Sequence, residues 1–258
     1  MNEPIRVLSY NIHKGFATNN KTFVLKNIKK NIRLVKADLV FLQEVLGHHD
    51  EHGKKLENWP TTSQFEYLAD SIWPHMAYGK NAVYSSGHHG NSILSRYPFS
   101  SWENINVSTN RFENRGILHG IVKVPQIAIP MHVICIHLGL LESWRQKQIE
   151  VLCSRISEHV PPEAPLIVAG DFNDWREKIT PVLQKELQLN EVFWQLHQRH
   201  MRTFPAWLPI LKLDRIYVRG LQIIEANRLT SMAWRTLSDH AALTSTLAHI
   251  DKPVVTTA

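Results

Sequence analysis

The sequence predicts an α/β or α+β sandwich built as one domain, and three observations carry that expectation. Short apolar runs alternate with helix-period patterns along the whole chain. No Pro/Gly/Ser-rich linker, low-complexity stretch or long internal repeat divides it. The 258 residues are enough for one large core, since a chain of this length buries about three quarters of its extended surface. Hydrophobic residues make up 43% and charged residues 20%, ordinary for a soluble globule and wrong for a disordered or fibrous chain.

Strands are expected near 5–11, 38–44, 91–95, 116–124, 127–137, 164–170, 213–218, 221–229 and 241–248. Helices are expected near 22–36, 63–72, 143–159 and 177–187, opening on Thr22, Ser63, Ser143 and Thr180 or Glu177. Residues 1–250 read as one domain and residues 251–258 as a frayed tail. Met1 to Gly15 shows no basic segment followed by an apolar one, so no signal peptide is expected. No stretch reaches the ~18 apolar residues of a membrane span, and the chain reads as cytoplasmic. Cys135 and Cys153 provide neither a disulfide framework nor a CxxC pair and read as core. The net charge of +6 favours an anionic partner without naming it. Lys26, Lys29, Lys30 and Arg33 read as the solvated face of the first helix.

The informative feature is where polar residues fall relative to the apolar runs. Ile5–Tyr10 ends in Asn11, Asp38–Gln43 in Glu44, Met131–Ile136 in His137, and Leu166–Gly170 in Asp171 with Asn173 beyond. In open α/β sheets ligands bind at the carboxyl ends of strands. Asp214 and Asp239-His240 instead open their runs. If those two strands run antiparallel to the others, all six segments meet in one cleft. Such a gathering of carboxylates would repel itself unless a cation or imidazole compensated. A hard, oxygen-seeking divalent ion, Mg²⁺ or Mn²⁺, beside a phosphate suits it.

These residues also form an ordered set of motifs. Leu8-Ser9-Tyr10-Asn11, Phe41-Leu42-Gln43-Glu44, Gly90–Pro98, Gly170-Asp171-Phe172-Asn173, Leu213-Asp214-Arg215-Ile216 and Ser238-Asp239-His240 span most of the chain. In this order they resemble the endonuclease/exonuclease/phosphatase superfamily, which includes pancreatic-type DNases, apurinic endonucleases, bacterial sphingomyelinases and inositol polyphosphate 5-phosphatases. Thr203-Phe204-Pro205 followed by Leu213–Tyr217 looks most like an uncharacterised bacterial branch of it.

The resemblance implies a four-layer α/β/β/α sandwich, two packed mixed sheets flanked by helices, with the site at one end. It implies a Mg²⁺-dependent hydrolase of phosphate esters, a phosphodiesterase or nuclease, with Mn²⁺ as a substitute. Glu44 would be the principal metal ligand, with Asn11 and Asp239 near the same ion. Asp171 would orient and deprotonate the attacking water. Asn173 and His137 would hydrogen-bond phosphoryl oxygens, and His240, paired with Asp214, would supply a further donor. The implied partner is a phosphodiester, either nucleic acid or a phospholipid headgroup or small molecule; no obligate protein partner is evident. A catalytically idle binding module would lack a metal or base residue, and none is missing here. Where some relatives carry an acid two positions after the asparagine, this chain has His13, which argues against a second carboxylate-bound ion. His13 is either a phosphate contact or a loop histidine, and Arg115 either guides an anion or lies on the surface. Asn91, within Gly90–Pro98, is a further candidate substrate contact.

Gly47 and Gly53 bracket His48, His49 and His52, which argues for a loop rather than the helical HxxxH of zinc enzymes. The stretch 47–62, with Lys54, Lys55 and Trp59, is expected to border the cleft. Phe204–Pro209 is expected to form another wall, its aromatics either packed on the core or exposed to bases or lipid.

Overall fold

The computed structural model describes residues 3–250 apart from Glu57 and Phe112, so the expected tail lies outside the described residues. The first part of the chain forms β1 (Ile5–Asn11), α1 (Leu25–Val35), β2 (Leu39–His49), α2 (Asp50–Lys55), α3 (Gln64–Ala69), β3 (His75–Tyr84) and β4 (Gly87–Ser95). Next come β5 (Phe99–Asn106), β6 (Gly116–Val122), β7 (Met131–His137), α4 (Glu142–His159) and β8 (Leu166–Asp171). The last part holds α5 (Ile179–Leu187), β9 (Asn190–Glu191), α6 (Val192–His197), β10 (Asp214–Arg219), β11 (Leu221–Arg228), α7 (Met232–Leu237) and β12 (Leu243–His249).

Two six-stranded mixed sheets result, ordered β11-β12-β1-β2-β4-β3 and β5-β6-β7-β8-β10-β9. Their central strands alternate side chains between two cores, as the pleat requires. Val7, Phe41, Cys135, Ile167 and Ile216 face the core between the sheets. Their neighbours Leu8, Val40 and Leu42 face α1 residues Ile28 and Ile32, while Ile134, Ile136 and Val168 face Leu152 and Ile156 of α4. Three apolar layers between four layers of secondary structure make the α/β/β/α sandwich. A strand buried on both faces reads as a continuous apolar run, which is why these strands are visible in the sequence.

Four expectations are corrected. The strand expected from residue 127 begins at Met131, because Pro130 has no N–H for the ladder. Strands β3 and β5 and helices α6 and α7 were not expected. The two strands are edges of their sheets and read His-Met-Ala-Tyr-Gly-Lys-Asn-Ala-Val-Tyr and Phe-Ser-Ser-Trp-Glu-Asn-Ile-Asn, half polar because half exposed. Residues 48–52 are not a loop: His48 and His49 end β2, and His52 lies in α2. Half of the basic stripe on α1 is paired rather than solvated, with Lys29 Nζ 2.9 Å and Arg33 Nη2 2.5 Å from Asp70.

Candidate active site

β1 runs parallel to β2, and β7 parallel to β8. β12 is antiparallel to β1, and β10 antiparallel to β8. The carboxyl ends of the first four strands therefore meet the starts of the other two at one end of the sandwich. His137, Asp171 and Asp214 lie in a single row across β7, β8 and β10. Gly170 permits that row: its φ is +148°, and a Cβ there would stand 2.0 Å from the Ile136 carbonyl oxygen. The two sheets are joined at this end by the Asn11 amide, whose Nδ2 donates to Glu44 Oε1 (3.3 Å) and to Asp171 Oδ2 (3.2 Å).

His13, Lys14, Glu44 and Asn173 all have positive φ, between 46° and 56°. Each costs about 1–3 kcal/mol and persists only where the surroundings enforce it. The Asn11 Oδ1 accepts the His13 N–H at 3.0 Å, and Asp171 Oδ1 accepts the Asn173 N–H at 3.0 Å, so site side chains hold these turns.

One side of the site is closed. Asp171, Asp214 and His240 are buried, with one ligand atom from each within 4.8 Å of the others, a cluster able to hold a metal ion. His240 Nδ1 donates to Asp214 Oδ2 at 2.9 Å, and its Nε2 stands 3.7 Å from Asp171 Oδ2. Burial alone would lower the imidazole pKa, but Asp214, Asp171 and Asp239 outweigh it and raise it to about 10. An imidazolium donating to a carboxylate has no lone pair for an ion there. Burial, helped by Asp214 and opposed by His240, raises the Asp171 carboxyl to about 6. His137 Nε2 is 3.5 Å from Asp171 Oδ2, and burial with Arg115 nearby pushes its pKa well below the usual value, so the ring is neutral.

The other side is open. Glu44 and Asp239 keep 18% and 25% of their side chains exposed, and each faces a basic side chain. Lys14 Nζ lies 3.2 Å from Glu44 Oε2, and His13 Nδ1 lies 3.7 Å from Asp239 Oδ1. Because His13 and Lys14 are consecutive, the two acids are gathered around one turn. Burial would raise the Glu44 carboxyl; the opposing His137, Lys14, His240 and Asn11 instead hold it well below the usual range. Both acids are hard oxygen donors, the ligand type a divalent cation prefers.

Glu44 from the open side and Asp171 and His240 from the closed side line a cleft of about 380 Å³, which Asp214 and Asp239 do not line. Its polar lining includes the cations Lys14 and Arg115 and the His89 imidazole, which burial, with Lys14 nearby, lowers to a pKa of about 4 and so keeps neutral; its apolar lining is Leu140, Trp175, Phe204, Leu211 and Leu213. Arg115 is only 18% exposed and lines the cleft instead of the outer surface. Asn91 sits apart, in a side recess beside Glu44, His89 and Arg115, its amide donating across the sheets to the Gly116 and Cys135 carbonyls. Asn173 donates one amide N–H to the Leu138 carbonyl. Of the expected 204–209 wall, Phe204 lines the cleft, its ring 5.1 Å from the His240 ring, while Trp207 and Leu208 stand exposed and do not line it. The described residues of the 47–62 stretch do not line it either: Trp59 stacks on Phe23 and Lys55 pairs with Glu51. Lys14, His89 and Trp175 were not expected at the site. His89 carries a period-2 signal, since it precedes Asn91 by two residues on β4 and so shares its face. For Trp175 the sequence offers only its place four residues after Asp171.

A two-sheet sandwich with carboxylates, imidazoles and amides converging at one end belongs to a class of hydrolases that act on phosphoester bonds. The match to the Endonuclease/Exonuclease/phosphatase family extends over residues 8–240, and the chain belongs to that family. It is 47% identical over 240 residues to the uncharacterized protein YbhP of Escherichia coli K12, covering 93% of this chain and 94% of that one. Three solved structures share the fold. An endonuclease/exonuclease/phosphatase of Bacteroides vulgatus has TM-score 0.75 at 17% identity and covers 96% of this chain and all of its own. Human nocturnin catalytic domain with bound sulfate has TM-score 0.73 at 18% identity, covering 96% and 94%. Zebrafish (D. rerio) TDP2 with single-strand DNA product has TM-score 0.70 at 19% identity, covering 95% and 99%.

Proposed function

We propose that this chain is a Mg²⁺-dependent phosphodiesterase, working as one domain over residues 1–250 in the cytoplasm, with Mn²⁺ an accepted substitute. The observation that carries the proposal is the Asn11 amide touching both Glu44 and Asp171, which joins the open acidic side to the closed one. Glu44 and Asp239 would hold the ion beside Asn11, and the ion would neutralise charge on the phosphoryl oxygens. Asp171 orients a water in the cleft and takes its proton. The water oxygen bonds to phosphorus as the ester P–O bond breaks, and the ester oxygen leaves as an alcohol with a proton from solvent. His240, kept cationic by Asp214, and neutral His137 donate N–H groups to the phosphoryl oxygens, as does the second amide N–H of Asn173. Lys14 and Arg115 draw the anion in, with His13 and Asn91 at the margins.

Two substrate classes use this chemistry. The net charge of +6 and the DNA product bound by the TDP2 neighbour support nucleic acid. The apolar wall supports a phospholipid headgroup or small diester. The test is hydrolysis of bis(p-nitrophenyl) phosphate by the purified chain after EDTA dialysis, then with added Mg²⁺ or Mn²⁺. Turnover should require the ion and fall at least about 100-fold in Glu44→Gln. Metal-independent turnover, or an undiminished Glu44→Gln variant, overturns the proposal.

A further inference from the structure

The hairpin that forms the apolar wall also carries a face that the chemistry leaves unused. Phe204 and Leu211 pair with each other, each accepting the other's N–H, and both line the cleft. The hairpin is pinned to the site: Ala206 N donates to the Asp239 carbonyl, and Ala241 N donates to the Thr203 carbonyl. Between its arms the tip reads Trp207-Leu208-Pro209-Ile210, four residues without a polar side-chain atom except the indole N–H. Trp207 is 60% exposed, Leu208 53% and Ile210 59%. Solvated apolar side chains at this density beside a cleft mark a binding surface.

The base of the hairpin is basic. Arg202 immediately precedes it, and its carbonyl accepts Arg228 Nη1 at 2.6 Å. The charges acting on Arg228 are three further arginines, Arg235, Arg199 and Arg202. Arg235 lies on α7, which also presents Met232 at 76% exposure. An apolar tip on a hairpin whose base adjoins a cluster of like positive charge matches an anionic lipid interface: acyl-chain boundary for the tip, phosphates for the arginines. Nucleic acid fits less well. Arginines suit both, but Leu208, Pro209 and Ile210 offer bases neither a stacking ring nor a hydrogen bond, and interfaces with nucleic acid are polar.

We infer that the Phe204–Leu211 hairpin, with the Arg199, Arg202, Arg228 and Arg235 cluster, docks the protein on an anionic membrane surface and brings the cleft to phosphodiesters of lipid headgroups. The substrate class rests on the hydrolase proposal above; the docking does not. It is therefore tested in EDTA, without turnover. The full chain is sedimented with vesicles of phosphatidylcholine alone and with 30% phosphatidylglycerol (roughly the anionic fraction that gives a useful surface potential). The comparison is with Trp207→Ser/Leu208→Ser/Ile210→Ser and, separately, with Arg199→Gln/Arg202→Gln, circular dichroism and thermal melting reporting that each is folded. Binding should need the anionic lipid, weaken with salt, and fall at least about tenfold in each variant. Turnover of bis(p-nitrophenyl) phosphate should be unchanged in the triple variant. Failure of the wild-type chain to sediment with anionic vesicles, or equal sedimentation of the triple variant, overturns the inference. So does loss of single-stranded oligonucleotide binding in the triple variant with vesicle binding intact, which would make the tip a nucleic-acid face.

Discussion

The closed and open sides of the cleft carry the same kinds of residue under opposite constraints. Asp171, Asp214 and His240 are nearly sealed from water, and their charges are settled among themselves. Glu44 and Asp239 keep contact with solvent, Glu44 beside the flexible Lys14 and Asp239 beside the His13 ring. Burial fixes a proton inventory, while exposure leaves lone pairs for a ligand. A buried charge left without its partner costs several kcal/mol, whereas one that keeps contact with water is compensated in part by solvent. One side should therefore respond to mutation in stability and activity together, and the other mainly in activity.

The largest expected effect is on turnover. His240→Ala removes the imidazolium and should lower kcat for bis(p-nitrophenyl) phosphate about 10³-fold at saturating Mg²⁺. Near-wild-type kcat would remove His240 from the chemistry. Glu44→Gln should cost about 10²–10³-fold in turnover while destabilising the fold less than Asp214→Asn does in urea unfolding. A large loss of stability would make Glu44 a structural residue. Asp214→Asn strips the buried imidazolium of its anion and should destabilise the fold by about 3–5 kcal/mol, read from urea unfolding at pH 7. If it unfolds no more easily than Glu44→Gln, the contrast between the two sides fails.

The smallest effect compares His240 with a buried histidine whose ring is bonded to an imidazole and a guanidinium instead of to a carboxylate. His119 bonds His132 at 2.9 Å and accepts from Arg155 Nε. Burial first, then His132 and Arg155, lowers its pKa to about 3. Its unfolded value is about 6.5, so between these pH values the unfolded chain binds the extra proton. The stability it contributes is complete above pH 6.5 and drains away as pH falls toward 3. The slope is at most about 1.4 kcal/mol per pH unit. His119→Gln should flatten urea stability between pH 6 and 4 relative to the wild type. An unchanged slope would mean the ring is protonated in the fold. The same burial thus lowers one imidazole and, with Asp214 and Asp171 beside it, fails to lower the other.

Much of the site is legible in the chain itself. Apolar runs closing on Asn11, Glu44, His137 and Asp171 locate the functional edge, because a strand buried on both faces leaves polar side chains only where it ends. The edge strands β3 and β5 were not legible, since one solvated face dilutes their apolar pattern until it resembles loop. Neither was the role of Trp59, whose aromatic, basic neighbourhood reads as cleft while its ring is spent on Phe23.

Sequence alone determined the layered architecture, the family and the polar residues that cluster, because burial pattern and strand termini are properties of neighbouring residues. The tertiary structure decided what each of those residues is. Which acids face water, which imidazole carries a proton, that Lys14 and His89 enter the cleft, and that Trp207–Ile210 stand bare beside it all depend on distances between segments far apart in the chain. Charge states and exposed surfaces are set by those distances.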